Sequence, residues 1–267
     1  MGKKNIPETG IYDARELGAG KMLLLGFQHM FAMFGATVLV PILTGLDVSN
    51  TLLFAGLGTL LFHLITGGKI PAFLGSSFAF LGGYATIAPM LGEKQNIPNL
   101  EMLPYACFGV ACAGLVYVIL AGLFKAFGAK KVMRFFPPIV TGPIIIAIGL
   151  NLSSSAINNC AQNWWIAIAA ILIIVAANIW GKGMVKIIPI LLGVIGSYLL
   201  AVIFDADTRA NLAANVSAAK WFALPIKMEQ TVFGLFASGS VDGHKLLTAA
   251  ITIVPLSLAT MVEHIGD

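Results

Sequence analysis

The sequence predicts an all-α, multi-span membrane protein, and three observations carry that prediction. Of the 267 residues, 58% are hydrophobic and only 10% are charged. Mean hydropathy is +0.91, well outside the range of a soluble domain of this size. The apolar residues also fall into runs of about twenty, the length that crosses a bilayer at about 1.5 Å rise per residue. The formal net charge of +4 is scattered over the short loops between those runs, so it reads as a topology signal and not as a nucleic-acid surface. Cys107, Cys112 and Cys160 form no metal or redox pattern and read as small buried hydrophobes. No metal site is expected.

Seven complete apolar segments are expected, at 22–43, 51–66, 72–90, 103–127, 135–152, 164–180 and 187–204, with an eighth beginning near Leu246. The polar residues 1–20 lack the apolar stretch of a cleavable signal peptide. Lys3, Lys4, Arg15 and Lys21 precede the first span, Lys69 follows the second, Lys125, Lys130, Lys131 and Arg134 follow the fourth, and Lys182 and Lys186 follow the sixth. The alternate loops carry Asp47, Glu93 and Glu101, and the stretch 151–163 after span five is uncharged. The positive-inside rule therefore places the N-terminus in the cytoplasm and the long connection 205–245 outside. Within that connection, residues 211–223 read as an interfacial segment with Trp221 at headgroup level. Seven is odd, so a second copy of the unit would be inverted, an architecture that places substrate sites at the repeat interface.

Span three is poor helix material. Gly75-Ser76-Ser77 and Gly82-Gly83 are unfavourable inside a helix, and Phe78-Ala79-Phe80 between them reads as a short extended piece. Irregular backbone at membrane depth requires cover from protein or a wet cavity, and its freed N–H and C=O groups become available to a ligand. A helix whose small residues admit close neighbours explains the same composition. The acids at the end of span eight favour a site. Glu263 and Asp267 are four residues apart on one helix face. An acid at the centre of a lipid-embedded helix costs roughly 2.5–3.5 kcal/mol on insertion scales and is usually kept for function.

Several runs resemble the nucleobase–ascorbate transporter family of nucleobase:cation symporters, and its bacterial uracil permeases in particular. They are 28–41 (QHMFAMFGATVLVP), 68–80 (GKIPAFLGSSFAF), 136–138 (FPP), 221–225 (WFALP) and Glu263-His264-Ile265-Gly266. The resemblance covers the chain in order. It implies fourteen spans in two inverted sevens, with a short strand in span three that pairs with one in span ten. It also divides the chain into a cytoplasmic tail (1–21), part of a core domain (22–128), part of a gate domain (129–204), an extracellular or periplasmic connection (205–245) and the start of span eight (246–267). The remainder of such a fold is expected to lie outside this sequence.

The resemblance further implies that the Phe78 backbone N–H meets a base carbonyl and that Glu263 accepts the ring N–H groups. In one uracil carrier a histidine implicated in proton coupling stands four residues after the glutamate; here that position is Asp267. Proton coupling is therefore expected at Glu263 and Asp267. The implied activity is proton-coupled uptake of a nucleobase, uracil foremost, across the plasma (cell inner) membrane. No enzymatic step and no cofactor beyond the coupling proton are expected, and a homodimer through the gate is implied. The alternatives are a xanthine or urate carrier of the same family and a truncated product with no transport of its own; the paired acids argue against an anion carrier. Gln28 and His29 are expected to tie span one to core helices, His63 to be interfacial, Asn178 to bond between helices and His264 to pack, since it faces about 100° away from Glu263.

Overall fold

The computed structural model describes residues 17–70, 72–92, 97–182, 184–219, 224–237, 239 and 241–266. Pro71, Glu93, Trp221 and Asp267 lie outside them. The described chain is helical throughout, with no strand among its described residues and one isolated antiparallel bridge, Leu91 to Ile97. The helices are α1 (Ala19–Thr44), α2 (Val48–Thr66), α3 (Leu81–Ile87), α4 (Leu103–Phe127), α5 (Ala129–Val132), α6 (Pro138–Gln162), α7 (Trp164–Trp180), α8 (Met184–Ile187), α9 (Pro189–Phe204), α10 (Ala206–Ala218), α11 (Val232–Ala237), α12 (Gly243–Ile253) and α13 (Ser257–Gly266).

Among the described residues, four helical stretches are long and apolar enough to cross a bilayer: Val48–Thr66, Leu103–Phe127, Ile139–Gln162 and Gly243–His264. The bent pair α9–α10 makes a fifth if taken as one span, with 106° between its halves. The coarse expectation of a multi-span helical chain is thus met.

Several boundaries differ from the sequence reading; the segment expected at 72–90 is helical only over Phe78–Ile87, and two further differences have a local cause. α6 continues to Gln162 where a loop was expected from Asn151, because 151–162 contains no Gly or Pro to stop it. The stop comes at Asn163, whose side chain accepts from the Ile166 N–H (3.3 Å) and caps α7. The connection after α9 is helical from Ala206, because Asp205 caps the N–H groups of Asp207 and Thr208. Asn178 is exposed on α7 and makes no interhelix hydrogen bond to the described residues, contrary to expectation.

The chain divides into two compact units. The first contains Met1–Thr37, Leu52–Gly75 and Cys160–Leu224. Within it α7 packs along α9, and Gly193 and Gly196 of α9 sit against Ile174 and Ile173 of α7. Thr59 of α2 satisfies the backbone where the chain leaves helix: its Oγ1 accepts from the Leu74 N–H at 3.0 Å. Gly75 lies so close to α1 that a Cβ there would be 2.5 Å from Thr37 Oγ1.

The second unit contains Val38–Thr51, Ser76–Asn159 and Pro225–Asp267. Its core joins Tyr84, Ile87 and Ala88 to Leu103, Tyr105, Ala106, Ala113, Leu235, Ala249 and Ile253. Small residues bring its helices together. A Cβ on Gly109 of α4 would lie 2.7 Å from the Ala249 carbonyl of α12, and one on Gly83 of α3 would lie 2.9 Å from Ile253.

Polar groups close one end of the second unit. The Asp47 carboxylate meets Lys227 Nζ at 2.7 Å, and the Asp47 N–H donates to Gln230 Oε1 at 2.7 Å. The Lys227 ammonium holds the Asp47 carboxyl below its ordinary value, and the carboxylate raises Lys227 in return. Lys245 pairs with Glu101 at 2.5 Å, and the Tyr105 hydroxyl accepts from the Asp242 N–H at 3.1 Å. The acidic residues Asp47 and Glu101 thus meet residues near the end of the long connection.

Candidate functional site

The expected strand at Phe78–Phe80 is a 3-10 turn. Extended backbone persists up to Ser77 (φ −105°, ψ 133°), whose Oγ accepts from the Ala79 N–H at 3.3 Å and folds the next three residues. The turn then runs directly into α3, with the Leu81 N–H donating to the Phe78 carbonyl. An extended piece needs a neighbouring edge to pair with, and among the described residues none is alongside it. A local Ser77 cap and a helical turn satisfy the backbone instead. The Phe78 N–H itself finds no acceptor among the described residues, so the donor that the sequence reading singled out is free even though the strand is not formed.

The helix that carries Glu263 is also broken. α12 gives way at Val254–Leu256 to a 3-10 turn containing Pro255, and α13 follows. Ser257 Oγ donates to the Val254 carbonyl at 2.7 Å, beside the Ser257 backbone N–H that the same carbonyl accepts. α13 packs against the Phe78–Phe80 turn and against α4. Both elements belong to the second unit, so the structure brings the Phe78 segment and the Glu263 helix together. Phe78 and Glu263 are each half-buried. Asp267 is outside the described residues.

His264 packs as expected and also makes a hydrogen bond. Its ring lies edge to face with Tyr117 of α4 (5.7 Å between centroids), and its Nδ1 is 2.8 Å from the Tyr117 hydroxyl. Tyr117 donates to Thr260 Oγ1 at 2.6 Å, and Thr260 donates to the Ser257 carbonyl at 2.9 Å. Sequence reading missed Tyr117, Thr260 and Ser257. The signal was the spacing of Ser257, Thr260 and His264, three and four residues apart on one helix face. Thr59 was missed as well, since nothing local marks a mid-helix threonine as the partner of a backbone fifteen residues on.

Helices long and apolar enough to cross a membrane, with an irregular turn packed on a broken helix that carries an acid, have the make-up of a membrane transport protein. Residues 20–267 match the Permease family (Xan_ur_permease), and the chain belongs to that family. It is 38% identical to the uracil permease of Bacillus caldolyticus over 98% of this chain and 57% of that protein. It is 34% identical to the putative pyrimidine permease RutG of Escherichia coli K12, over 99% of this chain and 58% of that protein. It is 38% identical to the uracil permease of Bacillus subtilis 168, over 90% of this chain and 53% of that protein. The chain therefore spans a little over half the length of these curated relatives.

Proposed function

We propose that this chain forms part of a proton-coupled nucleobase permease, with uracil as its base, and that Phe78 and Glu263 form two walls of the base site. The observation that carries the reading is the packing of the broken Phe78–Phe80 turn, with its free N–H, on the helix of Glu263. Uracil is flat and neutral, with two N–H donors and two carbonyl acceptors. A carboxylate is a strong charge-assisted acceptor for the first, and a backbone N–H fixed by its turn is a rigid donor for the second. Such a site rejects bases that leave its polar groups unpaired. The names of the uracil and pyrimidine permeases among the relatives support the choice of base.

Under this reading spans one to four and eight belong to a moving core and spans five to seven to a gate, in a fold of seven plus seven inverted spans. The N-terminus is cytoplasmic, the membrane is the cell inner membrane, and two copies pair through their gates. Protonation near Glu263 and Asp267 accompanies binding from outside and is reversed inside.

Radiolabelled uracil binding to the protein expressed from its complete reading frame tests the site. Glu263→Gln replaces a charged acceptor with a neutral one and is expected to weaken binding about tenfold to a hundredfold, in line with about 1.5–3 kcal/mol for a hydrogen bond to a charged group. Phe78→Pro removes the free N–H at a turn start that accepts proline and is expected to weaken binding as well. Unchanged affinity in Glu263→Gln would overturn the site, and displacement of label by xanthine in preference to uracil would reassign the base.

A further inference from the structure

The hydroxyl groups beside Glu263 can be assigned proton by proton. Thr260 spends its one hydroxyl proton on the Ser257 carbonyl, so toward any other group Thr260 Oγ1 is an acceptor. Tyr117 spends its one phenolic proton on Thr260 Oγ1. Thr260 is 1% exposed and Ser257 is fully buried, so water does not compete for these bonds. The phenol oxygen therefore accepts in its 2.8 Å contact with His264, and the hydrogen of that contact sits on Nδ1. A neutral His264 held in this way is the Nδ1–H tautomer, with a free lone pair on Nε2. The imidazolium makes the same bond to Tyr117. Gain or loss of a proton at Nε2 therefore changes the charge of α13 without disturbing a hydrogen bond of the chain.

We propose that Tyr117 is a positioning residue that holds His264 as an Nδ1–H donor, and that His264 Nε2 takes up the proton that accompanies base binding at Glu263. The proposal rests on the nucleobase reading above and adds His264 to its proton-handling groups. One proton moves from water to the Nε2 lone pair as the base binds and returns to water on release, and no covalent bond of the base changes. An imidazolium next in sequence to Glu263 places opposite charges together within one membrane helix, where ionised groups are generally paired. Few other titratable groups compete. The turns Phe78–Phe80 and Val254–Leu256, packed on or joined to α13, carry none. α4 presents Tyr117 and, about two turns on, its single charged residue Lys125. α13 itself adds only Glu263, with Asp267 just beyond its end.

Two measurements on the protein from its complete reading frame test this. The first is uracil affinity from about pH 5 to about pH 8, the range over which an imidazole changes charge. Wild type is expected to bind more tightly as pH falls. His264→Asn, whose side-chain amide N–H takes the place of Nδ1–H toward the Tyr117 oxygen, is expected to bind uracil with that pH dependence lost. A variant that keeps the wild-type slope, or a wild type without one, would overturn the proposal. The second is [15N]histidine NMR of the same protein without substrate, which does not depend on the base. His264 is expected as the Nδ1–H tautomer at neutral pH, shifting toward a tautomer mixture in Tyr117→Phe. An Nε2–H tautomer in the wild type overturns the inference, even if uracil proves to be the wrong base. Absence of uracil binding alongside an Nδ1–H signal overturns the base-coupled step and the nucleobase reading together, leaving the tautomer assignment standing.

Discussion

The two units handle buried contact in opposite ways. In the first, α7 and α9 meet through glycines facing isoleucines, and each of these two helices runs unbroken along the contact. In the second, α3, α4 and α12 also meet through small residues, but the helices around them are interrupted at Phe78–Phe80 and Val254–Leu256. The buried polar side chains are concentrated in the second unit. Thr44, Asn50, Thr141, Gln230, Thr231, Ser257 and Thr260 are all in the second unit, and Thr37 is the one in the first among the described residues. Continuous helices satisfy their own backbone, whereas broken ones need side chains to finish the task. The unit with the breaks is the one that brings Phe78 to the Glu263 helix.

Glycine substitutions break this comparison most strongly. Gly109→Ala forces a Cβ to 2.7 Å from the Ala249 carbonyl, a backbone atom that moves only if α12 moves. A loss of about 3 kcal/mol is expected, read as a lower melting temperature in detergent, because overpacking of a fixed wall lies at the upper end of its range. Gly193→Ala meets the Ile174 side chain, which can shift slightly but whose branching at Cβ fixes its rotamer in a helix, and about 2 kcal/mol is expected. Equal losses would show that both interfaces are equally rigid.

Thr260→Val comes next. It removes the acceptor of the Tyr117 hydroxyl, leaving a polar group short of a partner at a cost of about 1–3 kcal/mol. Ser197→Ala in the first unit removes only a bond to the Val194 carbonyl on an exposed surface and is expected within about 0.5 kcal/mol of wild type. Thermal denaturation of the pair checks whether buried polar groups matter more where helices break.

The smallest effect is expected at the Asp47–Lys227 pair, where the lysine is exposed. The Asp47 carboxyl is held low when folded, so its contribution is present above the ordinary carboxylate range near pH 4 and is lost as pH falls through the lowered folded value. Lys227 is raised, so its contribution is lost only as pH rises through that higher value. Asp47→Asn should therefore melt slightly earlier than wild type at neutral pH, with the gap closing in acid. A gap that persists well below pH 4 would assign the effect to the caps that Asp47 gives α2.

Much of the helical layout was legible in advance, because an apolar run of bilayer length is a local property. α4 and α7 begin and end where the sequence reading placed spans four and six. The run-on of α6 past Asn151 was misread because an uncharged polar stretch resembles a loop, although it contains no residue that stops a helix. Of the candidate site, the irregularity around Phe78 and the acid at Glu263 were legible, since glycine, serine and carboxylate are all unusual in an apolar segment.

What the sequence by itself determined is which segments are apolar and that the backbone is irregular around Phe78. Those follow from composition, propensity and spacing within a few turns. Tertiary structure decided the form of the break and the company each polar group keeps. Ser77 closed a 3-10 turn at Phe78–Phe80, because a strand needs a neighbour to pair with. Thr59 took the Leu74 N–H, and Tyr117 took His264 across 147 residues of chain. Hydrogen-bond partners are a matter of distance in space, and only the packing of α4 against α13 sets that distance.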